Sequence, residues 1–240
     1  MRILKYLFIP LFVLILVSCS DDDENCLRPF GDKITKEYVF TEEIRGLEIE
    51  VPATTFLSQG ETQKFIAEGH ENILDKLRFN ISGDVLDIEW NIDCVHSSAE
   101  LDFDVTLDKI EEITIISSGN VYGQNHFVLD DIDLNIVGSG NMDLSLTADE
   151  IRSQITGSGK LELEGESQEF ITTIAGSGNI RAFDLETEKA KIVIAGSGNV
   201  YITVLDELEI TISGSGNVYY QGNPEIDLTI TGSGSLINAN

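Results

Sequence analysis

The residues of this chain that could do chemistry are few and widely spaced. Its three histidines, His70, His96 and His126, lie in separate polar stretches without metal-ligand spacing, so each reads as a surface residue. Asp130-Asp131-Ile132-Asp133 is a dense carboxylate group whose oxygens would suit a weak extracellular calcium site. The Asp-containing nonapeptide of calcium-binding β-rolls is absent, and a solvated acidic face is the plainer reading. The three cysteines, Cys19, Cys26 and Cys94, make no Cys-x-x-Cys or Cys-His motif, so no metal and no cofactor is assigned. Gly-Ser-Gly recurs along the C-terminal half without a nucleophile elbow, a Ser-His-Asp order or a phosphate loop, which removes any one serine as a nucleophile.

The recurrence is architectural. Its copies end at Gly119-Asn120, Gly140-Asn141, Gly159-Lys160, Gly178-Asn179, Gly198-Asn199, Gly216-Asn217 and Gly234-Ser235, and a spacing near twenty residues marks a solenoid. Four residues before each of these glycines stands an isoleucine: Ile115, Ile136, Ile155, Ile174, Ile194, Ile212 and Ile230. Two residues after it stands Val121, Met142, Leu161, Ile180, Val200, Val218 or Leu236. Alternation such as Ile132-Leu134-Ile136 is the period-two pattern of strands with one buried face. Each copy therefore reads as strand, bend, strand and then a polar turn such as Thr147-Ala148-Asp149-Glu150.

One copy cannot bury its apolar face, but stacked copies turn the isoleucines into an internal column. The expected fold is all-β: a parallel β-helix of about seven Gly-Ser-Gly-Asn coils, roughly 34 Å long at the ~4.8 Å strand spacing. Glycine supplies positive φ or close approach at the bend, asparagine is the next best left-handed residue, and stacked asparagines can hydrogen-bond along the column. An antiparallel meander with Gly-Ser-Gly-Asn hairpin loops is the rival, but it has no need for the same residue at the same place in every copy.

The opening "MRILKYLFIPLFVLILVSCSDDDEN" sets Arg2 and Lys5 before an apolar stretch from Tyr6 to Val17, too short for a comfortable membrane span. Residues 1–18 read as a signal peptide, and Leu16-Val17-Ser18-Cys19 resembles a lipobox, which makes Cys19 the lipidated N-terminus. Loss of the leader takes the net charge from −27 to −29, because it holds Arg2 and Lys5 and no acid. Residues 19–39 read as an acidic tether, and Ser20-Asp21-Asp22-Asp23-Glu24 resembles the export tag of lipoproteins displayed on the outer face of the outer membrane. Cys26 and Cys94, exported into an oxidising compartment, are candidates for a disulfide. With 42 acidic against 15 basic residues, nucleic acid and anionic lipid surfaces are excluded as direct partners; a neutral, cationic or metal-bridged partner fits.

Residues 40–112 lack the Gly-Asn core yet look β-rich, with a short helix expected over Glu71–Leu77. The stretches "GLEIEVPATTFLSQGETQKFIAEG", "ILDKLRFNISGDVLDIEW" and "DVTLDKIEEITIISSGNVYG", followed by the repeats of residues 113–240, resemble the head GIN domain family of auto-transporter adhesins over residues 40–240. That resemblance implies a right-handed β-helix whose first coils come from the pre-repeat segment, and an envelope location; it carries over no catalytic residue.

The function expected is a non-enzymatic, adhesin-like or structural surface module with a glycan or protein ligand. The alternative is a polysaccharide lyase or glycosidase, distinguishable by whether carboxylates from several coils converge in a groove; the repeats offer few cations, namely Arg152, Lys160, Arg181, Lys189 and Lys191. A further expectation is that Leu236-Ile237-Asn238 presents an open strand edge through which the C-terminal coil pairs with another copy or a partner's strand.

Overall fold

The structure, a computed structural model, describes residues 26–240. The leader, Cys19 and the acidic run at 20–24 lie outside the described residues. Among those described, no helix is long and apolar enough to cross a membrane.

In chain order the elements are β1 (Lys33–Tyr38), β2 (Gly46–Ile49), β3 (Thr54–Gln59), β4 (Lys64–His70), α1 (Glu71–Leu74), β5 (Leu77–Ser82), β6 (Val85–Trp90), β7 (Asp102–Leu107), β8 (Glu112–Ile115), β9 (Asn120–Gly123), β10 (Phe127–Val128) and β11 (Asp131–Gly138). Four long strands follow, β12 (Asn141–Gly157), β13 (Lys160–Gly176), β14 (Asn179–Gly196) and β15 (Asn199–Gly214), then β16 (Asn217–Gln221), β17 (Glu225–Gly232) and β18 (Ser235–Asn238). From β8 onward every pairing is parallel and each strand lies on its counterpart one coil away, so the fold is a β-solenoid of about seven turns and the hairpin meander is overturned.

Two columns fill the interior. Ile115, Ile136, Ile155, Ile174, Ile194 and Ile212 are at most 1% exposed, as are Val121, Met142, Leu161, Ile180, Val200 and Val218. Beside them, two hydroxyl pairs bridge neighbouring coils inside the core, Ser153 donating to Thr172 and Ser167 to Thr187. The expected turn at Thr147–Glu150 is not a break. β12 runs through it, with Ala148 buried and Asp149 and Glu150 both facing outward; two successive outward residues shift the alternation and bend the strand without ending it.

At the Gly-Ser-Gly bend the two glycines have different jobs. The first adopts positive φ, as at Gly157 (+124°) and Gly176 (+138°), and among the described residues no non-glycine residue does. The second has no positive φ but no room: a Cβ on Gly178 would stand 2.5 Å from Ile155 Cγ2 and 2.8 Å from the Gly159 carbonyl oxygen. The asparagines are therefore not left-handed, contrary to expectation; each opens a strand and joins a side-chain ladder. Asn141 donates to Asn120 at 2.7 Å, and Asn199 to Asn179 and Asn217 to Asn199 at 3.0 Å each. Lys160 interrupts the ladder. Asn199→Ala removes a donor and an acceptor together and should cost about 1–2 kcal/mol in a denaturation experiment.

The pre-repeat segment departs most from a simple solenoid. β2 pairs parallel with β6 on one side and β8 on the other, and β3 likewise with β7 and β9. The coil that comes first in sequence is thus sandwiched between two later ones. Beyond β6 and β7 the end is closed by antiparallel strands, β5 on β6, β4 on β7 and β1 on β4. Tyr38, Phe40, Phe65, Phe79 and Phe103 pack together there, with Ile73 and Leu74 of α1 buried. The helix is one turn rather than the expected Glu71–Leu77, because Leu77 already belongs to β5. The folded body also starts earlier than residue 40: β1 lies inside the span expected as tether, and the Cys26–Cys94 disulfide fixes the chain beside the β6–β7 connection.

Candidate functional site

An outward residue of one strand sits beside its counterpart on the next rung, about 4.8 Å away, so equivalent outward positions form rows along the solenoid. One row reads Asp104, Phe56, Tyr122, Asp143, Glu162, Arg181, Tyr201, Tyr219, Ile237. Aromatic pairs occupy both arms: Phe56 and Tyr122 stack at 6.2 Å, and Tyr201 and Tyr219 at 4.6 Å with their planes 6° apart. Phe183 meets Tyr201 edge-on at 5.5 Å. Between the arms the row is charged. Arg181 Nη1 lies 3.4 Å and Lys160 Nζ 2.5 Å from the same Glu162 oxygen.

Over this charged middle lies an open cleft of about 520 Å³ lined by Asp143, Glu162, Glu164, Arg181, Phe183, Asp184 and Tyr201. Carboxylates from three successive strands thus converge on one groove. Their environments differ. Asp143 is held above the usual carboxylate range, first by burial and then by the charges of Glu162 and Glu164. Glu162 is pulled below that range, chiefly by its hydrogen bond with Lys160 and further by Arg181. A groove with aromatic faces, carboxylate acceptors and a guanidinium donor offers what a hydroxyl-rich ligand needs: apolar C–H surface to stack on and charged partners for its hydroxyls.

The carboxylates singled out in sequence do not form an ion site. Asp133 faces Arg152 of the next rung at 3.6 Å, and Asp130 lies outside the strand that carries Asp131 and Asp133. Among the described residues, the acidic group that does converge is Glu48, Glu50 and Asp87, with oxygens within 4.8 Å of one another. It forms because Glu48 and Asp87 are lateral neighbours on adjacent rungs. That oxygen set would suit a hard cation. Asp87 Oδ1 is buried without a hydrogen-bond partner, and Asn80 donates to Asp87 Oδ2 at 3.5 Å and to Glu89 at 2.9 Å.

Burial, then Asp87, Glu50 and Glu112, hold the Glu48 carboxyl above its ordinary range; burial, then Asp87 and Glu89, do the same to Glu50. A carboxyl raised on folding costs stability when ionised, and the cost fades as pH falls through its raised titration. Glu48→Gln should therefore melt higher than the parent at neutral pH, and the difference should close towards pH 4 in scanning calorimetry.

The histidines are surface residues, as expected, with local partners. His70 Nδ1 meets the Gly31 carbonyl at 2.9 Å, and His96 Nδ1 lies 2.8 Å from Ser98 Oγ. His126 spans Ser145 and Thr147 on the next coil, at 2.9 and 3.0 Å, where the 21-residue first repeat accommodates its two extra residues.

Parallel coils sealed at one end by antiparallel strands, carrying a lateral row of aromatic and charged side chains, define the chain as a capped β-solenoid. It belongs to the family described as "Putative auto-transporter adhesin, head GIN domain", whose sequence model matches residues 44–224. Solved structures share the fold. A "putative adhesin" from Bacteroides fragilis is 23% identical with TM-score 0.83 over 88% of this chain and 99% of that one. A "putative lipid binding protein" from Parabacteroides distasonis is 23% identical with TM-score 0.75 over 89% and 99%. A "putative adhesin" from Parabacteroides merdae is 20% identical with TM-score 0.70 over 88% and 99%. Among curated proteins no sequence matches this chain.

Proposed function

We propose that this protein is a lipid-anchored, non-enzymatic module of the outer membrane, facing the cell exterior, that holds a glycan along the row from Tyr122 to Tyr219. The anchor reading rests on Cys19 and the lipobox-like residues before it, and the outward orientation on the acidic run at 20–24. The observation that carries the ligand reading is the row itself, in which stacked aromatics flank a carboxylate–guanidinium cluster along one face of the solenoid. A strongly acidic surface fits neutral or amine-bearing sugars rather than polyanions.

A glycan array probed with residues 20–240, with and without calcium, tests this reading. Binding to one glycan class should fall at least tenfold in Arg181→Ala and in Tyr201→Ala. Silence across the array, or binding indifferent to both substitutions, would remove the row as the site.

One observation favours a second reading, glycoside cleavage. Asp143 and Glu162 border one groove with titrations pushed in opposite directions, the arrangement a general acid and its ionised partner need. New reducing ends released from a bound glycan by the parent protein and not by Asp143→Asn would establish it; unchanged glycan leaves binding alone.

A further inference from the structure

The two ends of the solenoid are unlike. One is sealed by β1, β4, β5 and α1. At the other, β17 pairs with β15 and β18 with β16, and no described strand lies beyond either. Side chains that continue the core columns are bare there. Ile226, Leu228 and Ile230 are 38%, 42% and 37% exposed, whereas Leu208, Ile210 and Ile212 one rung below are at most 1% exposed. Edge strands are usually guarded by proline, a bulge, inward-pointing charge or extreme shortness. β17 has none of these: eight residues, regular pairing with β15, and its two acids, Glu225 and Asp227, on the outward side.

We infer that this open coil is an interface for a second copy of the chain, joined tail to tail about a twofold axis through Leu228. The edge strands at the sealed end are guarded by charge, Lys33, Lys36 and Glu37 on β1 and Arg78 on β5, so the closed twofold pair of the two open coils is the arrangement that sets apolar edge against apolar edge. A twofold axis across the rod makes the two β17 edges antiparallel. Inward residues must then oppose inward residues, which places the axis on a residue, and Leu228, the middle of the three inward apolar residues, is the one that sets all three against their counterparts. With Leu228 on the axis, Ile226 lies opposite Ile230 of the second copy, Asp227 opposite Thr229 and Glu225 opposite Thr231, so no like charges meet. The pairing extends the apolar column through the joint and satisfies the free backbone groups of β17. It requires nothing of the glycan reading.

One hydrophobic core runs from Ile44 to Val218, and residues 20–240 contain every described residue and so keep every described contact. Sedimentation of that protein over a concentration series should give twice the monomer mass. Leu228→Glu, at an exposed position that hollows out no core, should weaken the pair at least tenfold with its circular dichroism spectrum unchanged, because two carboxylates would face each other at the axis. Leu228→Cys should cross-link on mild oxidation, since directly opposed antiparallel residues lie about 4.5–5.5 Å apart, within disulfide reach. Ser215→Cys, on the exposed bend, should not. A species monomeric at the highest attainable concentration overturns the inference, and so does a dimer that ignores Leu228→Glu and fails to cross-link through Leu228→Cys.

Discussion

Gly176→Ala should cost about 3–5 kcal/mol of stability and lower the melting temperature by roughly 10 °C, while Ser177→Ala, one residue along the same bend, should stay within about 0.5 kcal/mol. Gly176 has φ +138°, a region costing an L-residue about 1–3 kcal/mol. Its added Cβ would also stand 2.4 Å from the Gly157 carbonyl oxygen of the coil beneath. That neighbour is backbone, held at its own bend and pinned by hydrogen bonds, so it cannot swing aside as a flexible side chain would. Ser177 projects outward and donates its N–H to Gly157 through the main chain, which the substitution leaves intact. Equal melting of the two variants would show that the bend tolerates a side chain and that the glycine repeat has another cause.

The second large effect belongs to the isoleucine column. Ile194→Ala should cost about 3–4 kcal/mol, since the side chain is fully buried and parallel rungs 4.8 Å apart cannot close independently over the hole. Ile230→Ala, at the same place in its coil but 37% exposed, should cost less than about 1 kcal/mol when measured at high dilution. The contrast separates position in the repeat from burial. Denaturant titrations giving the two variants similar losses would mean that the last coil is covered even in the dilute protein.

What the sequence made legible follows from how parallel stacking works. A coil that returns to register imposes the same residue at the same offset, so the inward positions four before and two after the glycine were readable without coordinates. The row at the proposed site was equally present, three residues after each glycine: Tyr122, Asp143, Glu162, Arg181, Tyr201, Tyr219 and Ile237. It escapes notice because its side chains differ from coil to coil, and a search for sameness passes over them. The bend was legible as a place but not in its division of labour, since positive φ belongs to the first glycine and crowding to the second. The Glu48, Glu50 and Asp87 group could not be foreseen. Glu48-Ile49-Glu50 announces two acids on one face, but nothing in the letters says that β6 lies beside β2. Around Asp130-Asp131-Ile132-Asp133 the deciding neighbour is equally invisible in the letters: Arg152 of the next rung lies beside Asp133 and holds Glu150 as well.

The sandwiched first coil matters once force is considered. A solenoid whose rungs follow chain order yields to a pull on its first residue by shedding one rung at a time, each step breaking one set of lateral bonds. Here a load entering at Cys26 passes through the disulfide into the β6–β7 connection. The rung that receives it, β6 and β7, is held on both flanks, by β2 and β3 on one side and by the antiparallel β5 and β4 on the other, and cannot peel away alone. The weakest place is therefore not at the loaded end. Stretched between an anchor and something gripped along its side, such a rod bears tension at the end that carries the load and gives way, if at all, farther along.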